Sequence, residues 1–218
     1  IPCLAKFPLR DTLQNELHIP CILGNDADAA GLAEALVGAG KGLRTIVYIT
    51  LSTGIGGAII YNGQLLPGSH GYSMEVASIS IDGSRAPVNL PANGAVEDWA
   101  SGTSVTRIGN EKMPGKNFVH AGQVFALAEK NDPTAVGIAE QVTTDLAVMF
   151  ANLATTIDPD CFIIGGGMMK SAGYFLPLVK EKYKKRVLPA LADTPFLVAS
   201  LEEPGAVGAA MLPMSNGL

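Results

Sequence analysis

Three short stretches carry residues able to do chemistry. The first is ILGNDADAAG, residues 22–31, which sets Asn25, Asp26 and Asp28 between an apolar run and a small-residue run. Acids at the carboxyl end of a strand line the substrate crevice of many α/β proteins. The same residues also serve as plain helix caps, accepting hydrogen bonds from the first turn. The second stretch is TLSTGIGG, residues 50–57. It lacks the lysine and the following hydroxyl of a Walker loop, and it joins two strands, so it is not a dinucleotide-binding turn. A tight hairpin of Thr53, Gly54, Gly56 and Gly57 can offer backbone N–H groups and a hydroxyl to phosphate oxygens. A glycine-rich β-turn without a ligand fits it equally well. The third is IIGGGMM, residues 163–169, where Gly165, Gly166 and Gly167 let a flat ligand approach the backbone beside a helix start. Two isolated acids, Glu75 and Glu97, complete a set of acceptors for sugar hydroxyls if they reach Asn25 and Asp26; as lone residues they read as solvated.

Positioning these groups requires strands that end near one another. RTIVYITLS is β-branched and continuously apolar, as a strand buried on both faces would be. AIIYNGQLL reads as its antiparallel partner, with Asn62-Gly63 as the next turn. IPCILGN, DCFIIGGG and TPFLVASL read as further strands, and VASISID as a short one. Helices are expected over RDTLQNEL, DAAGLAEALVGAG, AGQVFALAEK and 133–157, the last with Val142, Leu146, Phe150 and Leu153 on one face. VEDWASGTSVTRIG is helical with an interruption at Gly102, FLPLVKEKYKKRVLP is a basic exposed helix, and GAVGAAML is a small-residue helix. The alternation predicts an α/β fold.

Composition agrees with a compact protein. The chain has 218 residues, 48% hydrophobic and 16% charged, with net charge −5 and 25 glycines. The acidic balance gives no electrostatic reason to bind nucleic acid. No apolar run reaches the roughly 18 residues of a membrane span, and no signal-peptide pattern opens the chain. Cys3, Cys21 and Cys161 are odd in number and far apart, as reduced thiols in a cytoplasmic protein would be. The start at IPCLAKFPLR, without methionine, points to a fragment or processed chain.

Taken in order, GNDADAA, TLSTGIGGAIIYNG, GSHGYSMEV, GAVEDWASG and DPDCFIIGGG resemble the large domain of the ROK family, which groups sugar kinases with sugar-responsive repressors. The resemblance spans nearly the whole chain. It implies an actin-like, hexokinase-type (ribonuclease H-like) large domain, α/β with a mixed sheet flanked by helices, over residues 25–218. Residues 1–24 would be the end of the connection from the small lobe and a strand into the cleft. It also implies transfer of the ATP γ-phosphate to a hydroxyl of a hexose or N-acetylhexosamine. Asp26 matches the family's catalytic base, and Asn25, Glu75 and Glu97 match its sugar contacts. Thr53, Gly54, Gly56 and Gly57 match the loop at the phosphates, and Gly165, Gly166 and Gly167 the glycines beside the adenosine. Magnesium would be held mainly by the phosphates and by the amino-terminal lobe. That lobe, with its D-x-G-x-T loop, is not found in this sequence. Pairing into a homodimer through the large lobe is also implied.

The chain departs from the family at its zinc site. Ser78 stands at the histidine position, where it keeps one shorter hydrogen bond to the sugar, and Val88, Leu90 and Ala95 stand at the cysteines, so no zinc is expected. Met74 and Ala77 occupy positions where the family has glycines, and Ser52 replaces a glycine in the phosphate loop. Besides the kinase, the resemblance allows the sugar-sensing domain of a repressor, or a non-catalytic paralogue used for binding.

Overall fold

A computed structural model describes residues 7–215. Its centre is a five-stranded mixed sheet of β1 (Thr45–Leu51), β2 (Ile55–Tyr61), β3 (Gln64–Leu65), β4 (Cys161–Gly165) and β5 (Phe196–Val198), in the order β3-β2-β1-β4-β5. β1 pairs antiparallel with β2 and parallel with β4. Asn62 and Gly63 both take positive φ, 52° and 74°, which is the type I′ geometry that matches the twist of two strands.

The sheet is buried on both faces, which explains why its strands read as unbroken apolar runs. Side chains alternate along β1 and β4. Val47, Ile49, Leu51, Phe162 and Ile164 enter a large core on one face. Ile46, Tyr48, Cys161 and Ile163 enter a smaller one on the other. The helices over the large core include α3 (Val96–Ala100), α4 (Gly102–Lys112), α5 (Ala121–Glu129), α6 (Pro133–Ile157) and α7 (Ala172–Lys184). Val142, Leu146, Phe150 and Leu153 of α6 are all buried there. Phe150, Phe162 and Phe196 pack with ring centroids 4.9–5.1 Å apart, a spacing that adds to their area burial.

The other face is covered by α2 (Asp26–Leu36), on which α8 (Pro204–Ser215) lies. Small residues let α2 sit close to the sheet, with Ala27, Ala29, Ala30 and Ala33 buried. Its fully buried Glu34 accepts hydrogen bonds from Ala39 N, Ser200 N, Leu201 N and Ser200 Oγ at 2.8–3.2 Å. Four donors make a buried carboxylate tolerable and tie α2 to the chain after β5.

Several expectations need correction. IPCILGN forms no strand: residues 20–25 carry no regular secondary structure and no strand of the sheet pairs with them, so their apolar character does not become sheet. They follow α1 (Leu9–Leu17), none of whose residues is buried. VASISID folds as a 3-10 turn at Val76–Ser78 and a single bridge between Ser80 and Ala95. The break in VEDWASGTSVTRIG falls at Ser101, whose side chain caps α4 by accepting from Ser104 N, so Gly102 begins a helix and does not interrupt one. α7 is only half exposed, because Phe175, Leu176, Val179 and Tyr183 form a buried stripe. Cys21 and Cys161 are free thiols, and burial, then the charge of Asp160, pushes Cys161 up to about 11; Cys3 lies outside the described residues. Among those residues, no helix is long and apolar enough to cross a membrane.

Candidate functional site

Sheet register brings the glycine motifs together. At the end of β1, Thr50 pairs with Gly56 on one side and with Gly165 on the other. α2 begins at this same sheet end, and its first polar residues make capping hydrogen bonds. Asn25 is the N-cap, its Oδ1 accepting from Ala27 N at 2.8 Å and Asp28 N at 3.4 Å. That cap is worth about 1 kcal/mol, and it engages only the oxygen of the Asn25 amide. Asp26 Oδ1 also accepts from Ala27 N at 2.8 Å, while its Oδ2 makes no hydrogen bond among the described residues.

The hairpin tip, residues 52–54, is held from several sides. Ser52 N donates to Gly54 O at 2.9 Å, and Gly102 N and Thr103 N, at the start of α4, donate to Ser52 O and Thr53 O at 2.8 and 3.2 Å. Glu97 Oε2 accepts from Ile55 N at 2.7 Å. A side chain at Gly54 would put its Cβ 2.4 Å from that same oxygen, so it would push the Glu97 carboxylate away from Ile55 N.

Two clefts meet at this tip. One, of about 550 Å³, is lined by Asn25, Asp26, Glu75, Ser78 and Glu97 together with Thr53, Gly54, Gly56 and Gly57. Asp28 lines it too. The cleft wall holds four carboxylates and no lysine, arginine or histidine. Burial, followed by the charges of Glu75 and Asp26, raises the Asp28 pKa above the ordinary carboxylate value. A raised folded-state pKa means that ionising Asp28 costs stability: the cost is absent below the unfolded value near 4 and complete above the folded one. Asp28→Asn is therefore expected to raise the melting temperature at pH 7, with the gain vanishing as pH falls below about 4. Thermal melts across that range check it, and an equal gain at all pH values refutes it.

The second cleft, of about 560 Å³, is lined by Ser52, Thr53, Thr103, His120, Gly167 and Lys170, among others. It contains no carboxylate. Lys170 and His120 were not singled out from sequence; a lysine three residues past Gly167 was the available signal. Of the three adjacent glycines, Gly167 alone lines the cleft. Gly165 is buried in β4, and Gly166, at φ 92°, packs against the Leu51 backbone. Met74 has φ 62°, a left-handed conformation that glycine adopts freely and methionine does not. Among the described residues, no group of three or more His, Cys, Asp or Glu side chains could hold a metal ion.

The mixed sheet with helices on both faces, and clefts beyond the carboxyl ends of its strands, define the large domain of an actin-like sugar kinase fold. Residues 2–215 match the family model described as ROK family, and the chain belongs to that family. It is 34% identical to a glucokinase of Halalkalibacterium halodurans, over 94% of this chain and 67% of that protein. It is 32% identical to an N-acetylmannosamine kinase of Yersinia pestis, over 95% of this chain and 70% of that one. The ROK hexokinase from Thermus thermophilus superposes with a TM-score of 0.87 at 30% identity, covering 95% of this chain and 71% of the hexokinase.

Proposed function

We propose that the chain is the large domain of an ATP-dependent sugar kinase acting on a hexose or N-acetylhexosamine. The observation that carries this reading is the division of charge across the hairpin tip. The side with four carboxylates suits a neutral polyol, whose hydroxyls donate hydrogen bonds to them. The side with Lys170, His120 and hydroxyls, and no carboxylate, suits a polyanion. Ser52 and Thr53 line both, so a phosphate held at the tip lies between donor and acceptor.

In this reading ATP supplies the γ-phosphate, and magnesium bound to its phosphates neutralises charge. Asp26 accepts the proton of the attacking hydroxyl, and the Asn25 amide orients that sugar. Glu75 and Glu97 accept other hydroxyls, with Glu97 offering the oxygen that Ile55 N does not use. Thr53, Gly54 and Gly56 contact the phosphates, and Lys170 offsets their charge. Such a reaction needs orientation and electrostatic stabilisation more than covalent help.

The test is ADP release by the full-length protein with ATP and magnesium, across hexoses and N-acetylhexosamines. Full-length protein is the reagent because the chain spans 67–71% of these relatives. Sugar-dependent release is the expected result. No release with any sugar, from folded protein, overturns the reading.

A further inference from the structure

Ser78 and Glu97 line the acid-lined cleft and bracket residues 79–96, and Leu90 within that segment lines the same cleft. No residue from 79 to 93 is buried; Ile79 and Ile81, at the base of the segment, pack half-buried against the large core, and residues 82–93 add no side chain to it. Its backbone pairing lies at its base, where Ile81 N donates to Gly94 O and Val96 N to Ile79 O, both at 2.9 Å.

The remainder is gripped by carboxylates. Asp98 is fully buried. Its Oδ2 accepts from Val88 N at 3.0 Å and Leu90 N at 3.3 Å, and its Oδ1 from Asn89 N at 3.0 Å. Burial alone would raise its pKa, but the N–H groups of Val88, Asn89 and Leu90 outweigh that and hold it below the usual value. Earlier in the segment, Arg85 donates to both oxygens of buried Asp145 on α6, at 2.7 and 2.9 Å, and to Asp82 at 3.0 Å. Gln141 Nε2 donates to the same Asp145 at 2.9 Å. The Arg85 guanidinium lies 5.0 Å over the Trp99 ring, and Arg107 donates to Asp98 O at 2.9 Å.

We propose that Asp98 and the Arg85–Asp145 pair are positioning residues for sugar binding. They form a metal-free clip that sets Leu90 against the cleft and fixes the helix turn bearing Glu97. Neither touches the ligand. A bidentate pair and three N–H groups on one carboxylate are strong enough to order a loop with no core of its own. The sugar-binding part rests on the kinase reading; the ordering of the loop does not.

The test combines hydrogen exchange with steady-state kinetics on full-length protein, comparing wild type with Asp98→Asn and Arg85→Gln. Exchange at residues 79–93 is expected to accelerate about tenfold or more in each variant, with the rest of the chain unchanged. The sugar KM is expected to rise severalfold while kcat and the ATP KM hold. Adding EDTA to wild type is expected to leave loop exchange unchanged. Arg85 is partly exposed, so its variant judges the clip even if Asp98→Asn does not fold. The clip is overturned if wild-type loop amides already exchange like an unstructured peptide, if EDTA frees them, or if both variants accelerate exchange everywhere. A wild type inactive on every sugar would sink the kinase reading, and exchange would still judge the clip.

Discussion

Asp26→Asn is expected to lower turnover by about 10²–10⁴-fold, the range that a positioned general base contributes. The substitution is close to isosteric, and an asparagine Oδ1 can still accept from Ala27 N as Asp26 does at 2.8 Å. What is lost is the negative charge and the ability to take a proton. Removing an acid from the first turn of α2 forfeits up to about 1 kcal/mol with the helix dipole. Relief of repulsion with Asp28 works in the opposite direction. Thermal stability and sugar binding should therefore stay near wild type while kcat collapses. Turnover within a factor of a few of wild type would reduce Asp26 to a capping residue and remove the centre of the proposed mechanism.

The second large effect is expected at Gly166→Ala, and on folding. Gly166 has φ 92°, and a Cβ there would lie 2.4, 2.6 and 2.8 Å from the carbonyl oxygen, carbonyl carbon and nitrogen of Leu51. Those are backbone atoms of the central strand and cannot turn aside as a flexible side chain would. Overpacking of this kind costs about 1–3 kcal/mol, and a strained backbone region costs a similar amount. The sum, about 2–6 kcal/mol, is a large share of a domain's net stability. The control is Gly137→Ala on α6, where a Cβ meets nothing within 4 Å and a gain of up to about 1 kcal/mol is expected. Denaturant melts of the two variants check both signs. A Gly166→Ala protein as stable as wild type would mean that Leu51 and the third glycine motif are less tightly packed than described.

Legibility in the sequence followed the range of the interaction involved. β1, β4 and α6 were readable because burial on both faces, or on one helical stripe, leaves its period in the residues themselves. Asn62-Gly63 was readable because a type I′ turn needs positive φ at both positions. IPCILGN misled because an apolar run does not say whether a neighbouring strand exists to pair with it. The acceptor set was legible through its order along the chain, and the structure brings Asn25, Asp26, Glu75, Ser78 and Glu97 to one cleft. His120 and Lys170 escaped notice because their surroundings come from distant segments. Asp98 escaped for the same reason: nothing in GAVEDWASG shows that three amides from residues 88–90 turn toward it.

Trp99 is the one tryptophan in the chain, and it sits between Arg85, 5.0 Å from its ring, and Arg107, 5.9 Å away. Its indole nitrogen is buried with no hydrogen-bond partner among the described residues, and Glu97 lies two residues before it. This chain therefore carries a single tryptophan beside Arg85 and on the same short helix as Glu97. Within these 218 residues, emission excited at the indole reads that corner alone, without labelling.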